Sequence, residues 1–310
     1  MINDLIKKDL KKQGYRIVGK HSAVKVCLWC KRSLKNEDVC YKETFYGIKS
    51  HRCVQSSVSL LNCMHQCEFC WRSLEHTEFS KVKDEDDPKI ILDGLIREQN
   101  TFLKGFNGNV KTDKKKYKES IVPKHIALSL SGDATMYNKL PELITEIKSR
   151  DMTAFLVTNG QEPDMLLKLK DKPTQTYVTL AACDEEMYKR TCKPHYKDGW
   201  NRLMKSLELL QEFPRSTIRL SLLKGLNMEN PKKYAVIIKK YKPKFVEVKA
   251  VMAVGYAQYR VEYKRMPRHN EILEFSKKIA EELGWKIVAE KEESRVVLIM
   301  EEDRDRLIEM

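Results

Sequence analysis

Three cysteines within eight residues, Cys63-Met64-His65-Gln66-Cys67-Glu68-Phe69-Cys70, constrain this chain more than any other stretch. A C-x3-C-x2-C run brings three thiolates onto one loop. That is enough to hold three irons of a cubane cluster and leave the fourth iron open to a chelating ligand. Structural zinc competes for the same residues. Zinc sites bring four ligands in two short pairs, however, and the nearby fourth donor, His65, lies between the cysteines. Seven of the nine cysteines fall between Cys27 and Cys70, a crowding that speaks for metal rather than scattered core thiols. Cys183 and Cys192 stand apart and are read as buried and incidental.

The rest of the composition sets broad bounds. A chain of 310 residues, 42% of them hydrophobic, can fill the core of one large α/β domain or two small ones. No run of 18 apolar residues exists to cross a membrane. The first residues alternate apolar and charged side chains, unlike a signal peptide. A cytoplasmic location with reduced thiols is the expectation. The net charge of +14 favours polyanionic partners such as nucleic acid. The lysine run from Lys111 to Lys118 is read as a solvated surface loop.

Apolar spacing predicts a short amphipathic helix over residues 1–13, then a cysteine-bearing segment to residue 53 with little periodicity. Residues 1–54 are therefore separated as an N-terminal extension from a main unit, 55–310. Within the extension Cys27, Cys40 and Cys53 recur every thirteen residues, with Cys30 beside the first. Four cysteines could hold zinc, or the evenly spaced three a second cluster; spacing leaves both open. A helix is expected over 90–104. From Pro123 onward strands (125–130, 154–158, 177–180, 217–223, 245–251) alternate with helices (141–150, 164–170, 199–213, 232–241, 270–283), and two strands near 286–289 and 295–300 close the pattern. Such alternation means right-handed βαβ units on a parallel sheet. About six units fit a partial (β/α)6 TIM-like barrel of α/β class. The loops after the C-terminal strand ends then carry the chemistry. Those ends hold the Cys63 loop, Gly132-Asp133, Thr158-Asn159, Ala181-Ala182, Gly225 and Gly255. Glycine admits close backbone approach, Asp133 can accept an ammonium, and Thr158 and Asn159 suit ribose hydroxyls and carboxylates. Gly225 and Gly255 could admit an adenine edge or a substrate.

The cysteine loop, with Phe69 before its last thiol, resembles the radical S-adenosylmethionine (SAM) superfamily. The resemblance implies that the open iron binds the amino and carboxylate groups of SAM and feeds an electron that cleaves it to a 5′-deoxyadenosyl radical. It also sets Gly132-Asp133 on the motif that receives the methionine amino group. Here the carboxylate is one methylene shorter than usual, and Ala134 stands where proline is common.

A larger set of stretches narrows the resemblance: His21–Cys27, Asp38–Lys42, Phe45–Cys53, Phe69–Arg72, Leu156–Gly160, Val254–Tyr256 and Glu293–Leu298. Together they resemble the archaeal-type tRNA 4-demethylwyosine synthases of wyosine biosynthesis, over nearly the whole chain. The resemblance implies two [4Fe-4S] clusters, one on Cys63, Cys67 and Cys70 with SAM, the other on Cys27, Cys40 and Cys53. Phe69, Gly132, Asp133, Thr158, Asn159 and Gly225 would contact SAM, and Lys42 would form a Schiff base with pyruvate. The implied reaction abstracts hydrogen from the methyl group of N1-methylguanosine next to the anticodon of tRNA-Phe. The resulting carbon radical adds to the pyruvate carbonyl carbon; loss of the carboxyl group and closure onto the exocyclic amine complete a tricyclic base. A monomer served by an external donor such as a flavodoxin or ferredoxin is implied. Three features depart from the pattern: Asp133-Ala134, Leu180-Ala181-Ala182 after the Tyr177 strand, and the extra thiol Cys30. They leave open a divergent radical SAM paralogue acting on another RNA base or a peptide. A zinc-stabilised RNA-binding protein without catalysis is the non-enzymatic alternative.

Overall fold

Helix and strand alternation in the sequence becomes a sheet of ten strands whose central six run parallel and in chain order. The computed structural model describes residues 2–309. Helix α1 (Asp4–Lys12) leads into a hairpin of β1 (Arg16–Val18) and β2 (Ser22–Val24), then two short helices, α2 (Leu28–Leu34) and α3 (Tyr41–Tyr46). Strand β3 (Cys53–Ser57) opens the first βα unit. A long loop separates it from α4 (Pro88–Asn107) and α5 (Lys114–Ser120). Five further units follow: β4 (His125–Leu128) with α6 (Leu140–Ser149), β5 (Thr153–Thr158) with α7 (Pro163–Lys168), β6 (Gln175–Thr179) with α8 (Glu185–Cys192) and α9 (Gly199–Leu209), β7 (Ser216–Leu222) with α10 (Pro231–Tyr241), and β8 (Phe245–Ala250) with α11 (His269–Leu283). Strands β9 (Lys286–Lys291) and β10 (Val296–Met300) return antiparallel, β10 against β8 and β9 outside it. Strand order is β1-β2-β3-β4-β5-β6-β7-β8-β10-β9, so the sheet keeps two edges and the partial six-unit barrel holds. Among the described residues no helix is long and apolar enough to cross a membrane.

Local chemistry explains the helix starts. Pro88, Pro141, Pro163 and Pro231 occupy first-turn positions, where their missing N–H costs no hydrogen bond. Asp87 and Asp113 cap α4 and α5. The Asp113 cap turns most of the expected lysine loop into helix α5: its carboxylate accepts from the Lys115 and Lys116 amides at 2.9 and 3.0 Å. The expected boundary after residue 54 also moves, because it falls inside β3 and β2 pairs with that strand. The extension therefore supplies two strands of the sheet.

In β3 to β8 the two sheet faces sort by residue parity. Even-numbered residues such as Val54, Ile126, Leu128, Ala154, Leu156, Val178, Ile218, Leu220, Val246 and Val248 pack into the core beneath the crossover helices. Odd-numbered Ala127, Phe155, Tyr177 and Phe245 face the other way, where they pack with Tyr41, Phe45, Tyr46 and Ile48 from α3 and the loop after it. One face is ordinary helix-on-sheet core. The other, here called inner, is closed by the extension and carries the polar chemistry.

Candidate active site

Because β3 starts at Cys53 and the Cys63 loop follows its far end, the two cysteine sets sit at opposite ends of the parallel strands. At the C-terminal end, Cys63 is buried while Cys67 and Cys70 are partly buried, and all three are free thiols. Their loop is held from several sides. The Cys63 sulfur accepts from the His65 amide and from Asn159 Nδ2, both at 3.4 Å. Arg260 donates to the carbonyls of Glu68, Cys70 and Arg72, and Arg265 pairs with Glu68 at 2.5 Å. The Tyr256 amide donates to the Trp71 carbonyl at 2.8 Å. A side chain at Gly255 would stand 2.6 Å from that carbonyl oxygen, at a φ of +57°. This glycine lets the Tyr256 turn close against the cysteine loop.

Asp133 is held within the same region. Its buried carboxylate accepts from Thr135 N (3.0 Å), Thr135 Oγ1 (2.6 Å), Thr158 Oγ1 (3.0 Å) and Asn159 N (2.7 Å). Four donors fill the acceptor capacity of a carboxylate. One methylene shorter than glutamate, the side chain folds back onto its own strand ends. Gly132 answers a steric demand beside it, since a Cβ there would lie 1.7 Å from the Ser59 carbonyl oxygen. Thr158 is spent on Asp133 and on the Gly160 amide, and Asn159 Oδ1 on the Gln161 amide. The structure thus joins Cys63, Asp133, Thr158 and Asn159 in one network around the loop. Phe69 packs between the main core and a small cluster of Leu223, Leu226, Val251 and Val261. Gly225 is exposed after β7, with Arg265 Nε its nearest neighbour for an added Cβ at 3.9 Å.

Does this loop suit an iron–sulfur cluster? Arg72 is buried and donates to Thr77 Oγ1 and the His65 carbonyl, with no carboxylate partner among the described residues. A buried cation needs an anion, and the groups that hold Arg72 protonated against the cost of burial are Cys63, Cys70 and Cys67. Burial first, eased by Arg72, pushes the Cys63 thiol up to about 12 and raises Cys70 as well. Such thiols ionise when iron takes them. Among the described residues the three sulfurs are not all within 4.8 Å of one another, whereas a single tetrahedral zinc at 2.3 Å would need about 3.8 Å between sulfurs. The three thiols as placed are therefore not a single-zinc site. Sequence reasoning missed Cys192: its sulfur lies within 4.8 Å of Cys67 and His65, and it is the main cause raising the Cys67 thiol. His65 in turn meets the Tyr188 hydroxyl at 2.7 Å through Nε2. Only the fold brings α8 to the loop, so no local pattern marked either contact.

At the other end Cys27 precedes α2, Cys40 precedes α3 and Cys53 begins β3. Burial raises all three thiols, Cys40 to about 11. Cys30 is fully buried with Val26, Leu34 and Leu103, its sulfur toward the His51 carbonyl at 3.8 Å, and after burial itself Cys27 and Cys53 are what raise its thiol.

Lys42, in the first turn of α3, reaches the inner face. Its Nζ lies 4.4 Å from the Phe155 ring centroid and 4.9 Å from that of Tyr177, with the side chain 7% exposed. Burial first, then the Arg219 charge, lowers its pKa against the opposing pull of Cys53, Cys40 and Glu247. Lowering the pKa leaves more of the amine neutral, the form that acts as a nucleophile. Arg219 and Glu247 face each other across β7 and β8 as a buried pair at 3.0 Å. Tyr46 donates to Glu247 at 2.8 Å. Lys249, two residues on, has its pKa lowered to about 8, mainly by burial and then by Arg219. A charged residue at an odd position of an apolar strand was the available signal for these groups.

Residues 58–235 match the model of the radical SAM superfamily, and residues 240–301 that of wyosine base formation. The S-adenosyl-L-methionine-dependent tRNA 4-demethylwyosine synthase of Pyrococcus abyssi is 46% identical over 95% of this chain and 88% of its own. The enzyme of the same name from Methanocaldococcus jannaschii is 36% identical over 98% of both chains. A solved structure of TYW1 with a lysine-pyruvate adduct bound superposes with a TM-score of 0.90 at 35% identity, covering 99% of this chain and 98% of that one.

Proposed function

The chain belongs to the tRNA 4-demethylwyosine synthases of the radical SAM superfamily, and from that premise we propose how its two sites divide the reaction. It is a radical SAM enzyme that forms 4-demethylwyosine on tRNA, using SAM and a [4Fe-4S] cluster. Cys63, Cys67 and Cys70 hold that cluster, which with SAM supplies a 5′-deoxyadenosyl radical. Cys27, Cys40 and Cys53 hold a second one at the opposite strand ends. Lys42 takes pyruvate between them. Its amine attacks the ketone carbon and water leaves, giving an imine; the two-carbon unit is condensed with N1-methylguanosine next to the anticodon of tRNA-Phe as the carboxyl group is lost, and closure onto the exocyclic amine of the base releases the lysine.

The remaining residues hold and orient. Asp133 fixes Thr158 and Asn159, and Asn159 directs Nδ2 at the Cys63 sulfur. Residues 254–268, which follow β8 at the mouth, offer exposed Tyr259 and Tyr263 beside Lys264 and Arg268. Aromatic faces with nearby cations suit unstacked bases and phosphates, so this rim is assigned to the anticodon loop. The electron comes from a separate acidic donor such as a flavodoxin or ferredoxin, a role for which a net charge of +14 is suited. The enzyme acts as a monomer.

The observation that carries this division is Lys42, buried on the inner face against Phe155 and Tyr177. Reduced protein incubated with SAM, pyruvate and methylguanosine-containing tRNA tests it. Nucleoside mass spectrometry should find the tricyclic base, and a Lys42→Ala protein should not form it. SAM cleavage indifferent to that tRNA, with no tricyclic base, would assign the chain to another substrate.

A further inference from the structure

Cys192, the last residue of α8, is assigned to neither cluster, yet it stands at the cysteine loop among ligand-type side chains. Its Sγ, the Cys67 Sγ and a ring nitrogen of His65 all lie within 4.8 Å of one another. Backbone contacts fix that meeting. The Gln66 amide donates to the Cys192 carbonyl at 3.0 Å, the Glu68 amide to the Thr191 carbonyl at 3.2 Å, and the His195 amide to the Met64 carbonyl at 2.8 Å. Loop and helix end therefore face each other in one register. His65 and Cys192 are both 3% exposed, while Cys67 is open on one side. Tyr188, one turn back on α8, meets His65 Nε2 at 2.7 Å through its hydroxyl, which orients the ring and leaves Nδ1 to an ion. Ligating histidines ordinarily carry such a partner on the far nitrogen.

One imidazole and two thiolates are the donor set of a zinc site that keeps its fourth position open. Ligands to a single zinc stand about 3.6–3.8 Å apart, so the three need close by about 1 Å at most. Binding releases the two thiol protons, and the thiolates then cancel the charge of a divalent ion, as a site this buried requires. With such donors zinc binds more tightly than iron(II). We infer that His65, Cys67 and Cys192 form a further metal site on the cysteine loop, one that takes a single zinc ion. The site needs only these three residues. A consequence rests on the cluster assignment made above: zinc and the SAM cluster each use the Cys67 sulfur, so either occupant excludes the other. Zinc then competes with iron for this loop, and Cys192 sets how strongly.

Zinc and iron counted on anaerobic, thiol-reduced protein test this. Reconstituted wild-type protein, with Cys67 on its cluster, should keep no added zinc through gel filtration. Cys63→Ala/Cys70→Ala frees Cys67 and spares the second cluster; it should hold about four irons and gain about one zinc per chain. Adding Cys192→Ala to that protein should weaken zinc, competed against a chromophoric chelator, by at least about 100-fold. Adding Tyr188→Phe instead should weaken it by about 10- to 100-fold, the range for a partner behind a ligand. Tyr188→Phe removes no ligand, and unchanged iron shows that each protein folds. In the wild-type background Cys192→Ala should still reach about eight irons, and its SAM cluster should assemble at zinc concentrations about tenfold above those the parent tolerates. No zinc in Cys63→Ala/Cys70→Ala, or zinc there that is indifferent to Cys192→Ala, would overturn the site. Zinc kept by wild-type protein beside a full complement of iron would overturn the exclusion. A wild-type protein without the SAM cluster would overturn the cluster assignment, and the zinc results would still decide the site.

Discussion

The two ends of the inner face are built in opposite ways. At the mouth, three thiols within eight residues ride on a loop that other loops hold through backbone carbonyls and amides. At the floor, three thiols spread over twenty-seven residues meet charged side chains from α3, β7 and β8 inside an aromatic shell. Loop chemistry held by backbone contacts can admit a large cofactor and an RNA base. Chemistry set in a packed interior instead tunes a small reactant, because burial shifts amines and thiols by several orders in proton affinity. The contrast fits the proposed division, with the sulfonium and nucleic acid above and the oxo acid below.

Substitutions can break that contrast, and the largest effect belongs to the floor. Lys42→Ala should lower tricyclic-base formation on the order of a thousandfold or more, the scale for losing a covalent nucleophile. Product and SAM cleavage measured on one sample check this, because cleavage should survive. Glu247→Ala comes next. It leaves Arg219 buried without its anion and should cost about 3–5 kcal/mol, read as a lower melting temperature of the anaerobic protein. Arg260→Ala acts only at the mouth. Removing its contacts with three loop carbonyls should cost about 1.5–3 kcal/mol, seen as faster iron loss to a chelator from one cluster while trapping of pyruvate on Lys42 by cyanoborohydride holds steady. Loss from both clusters alike would mean that the ends are not independent.

The smallest effect is a pH dependence. Protonated Lys42 is silent, so trapping should rise with pH and level off once the amine is neutral. Since burial and Arg219 lower its pKa, that rise should have its midpoint below pH 10.5, the ordinary lysine value. A midpoint at 10.5 would place Lys42 in water.

The mouth was legible in the sequence because C-x3-C-x2-C is a local pattern and the strand ends that flank it are punctuated by Gly132, Asn159 and Gly255. What Asp133 does was not legible. Its hydrogen bonds to Thr158 and Asn159 join two strand ends that the sequence keeps 25 residues apart. The floor was half legible. Even cysteine spacing marked Cys27, Cys40 and Cys53 as one of two possible ligand sets, and the family resemblance implied them, yet Arg219, Glu247 and Tyr177 carry no motif, and their meeting depends on strand register. Cys192 is buried, as expected, but its place beside Cys67 carries no local signal, as α8 reaches that loop only in the folded chain. The lysine run misled because charge suggested a loop while Asp113 supplied a helix cap.

Anaerobic iron and sulfide quantification with electron paramagnetic resonance, on wild-type protein and on Cys63→Ala/Cys67→Ala/Cys70→Ala, tests the two-ended account most directly. The expected result is about eight irons per chain in the parent and about four in the variant, with one set of cluster signals gone and the other unchanged. Zinc in place of iron, or the loss of all iron from the variant, would contradict it.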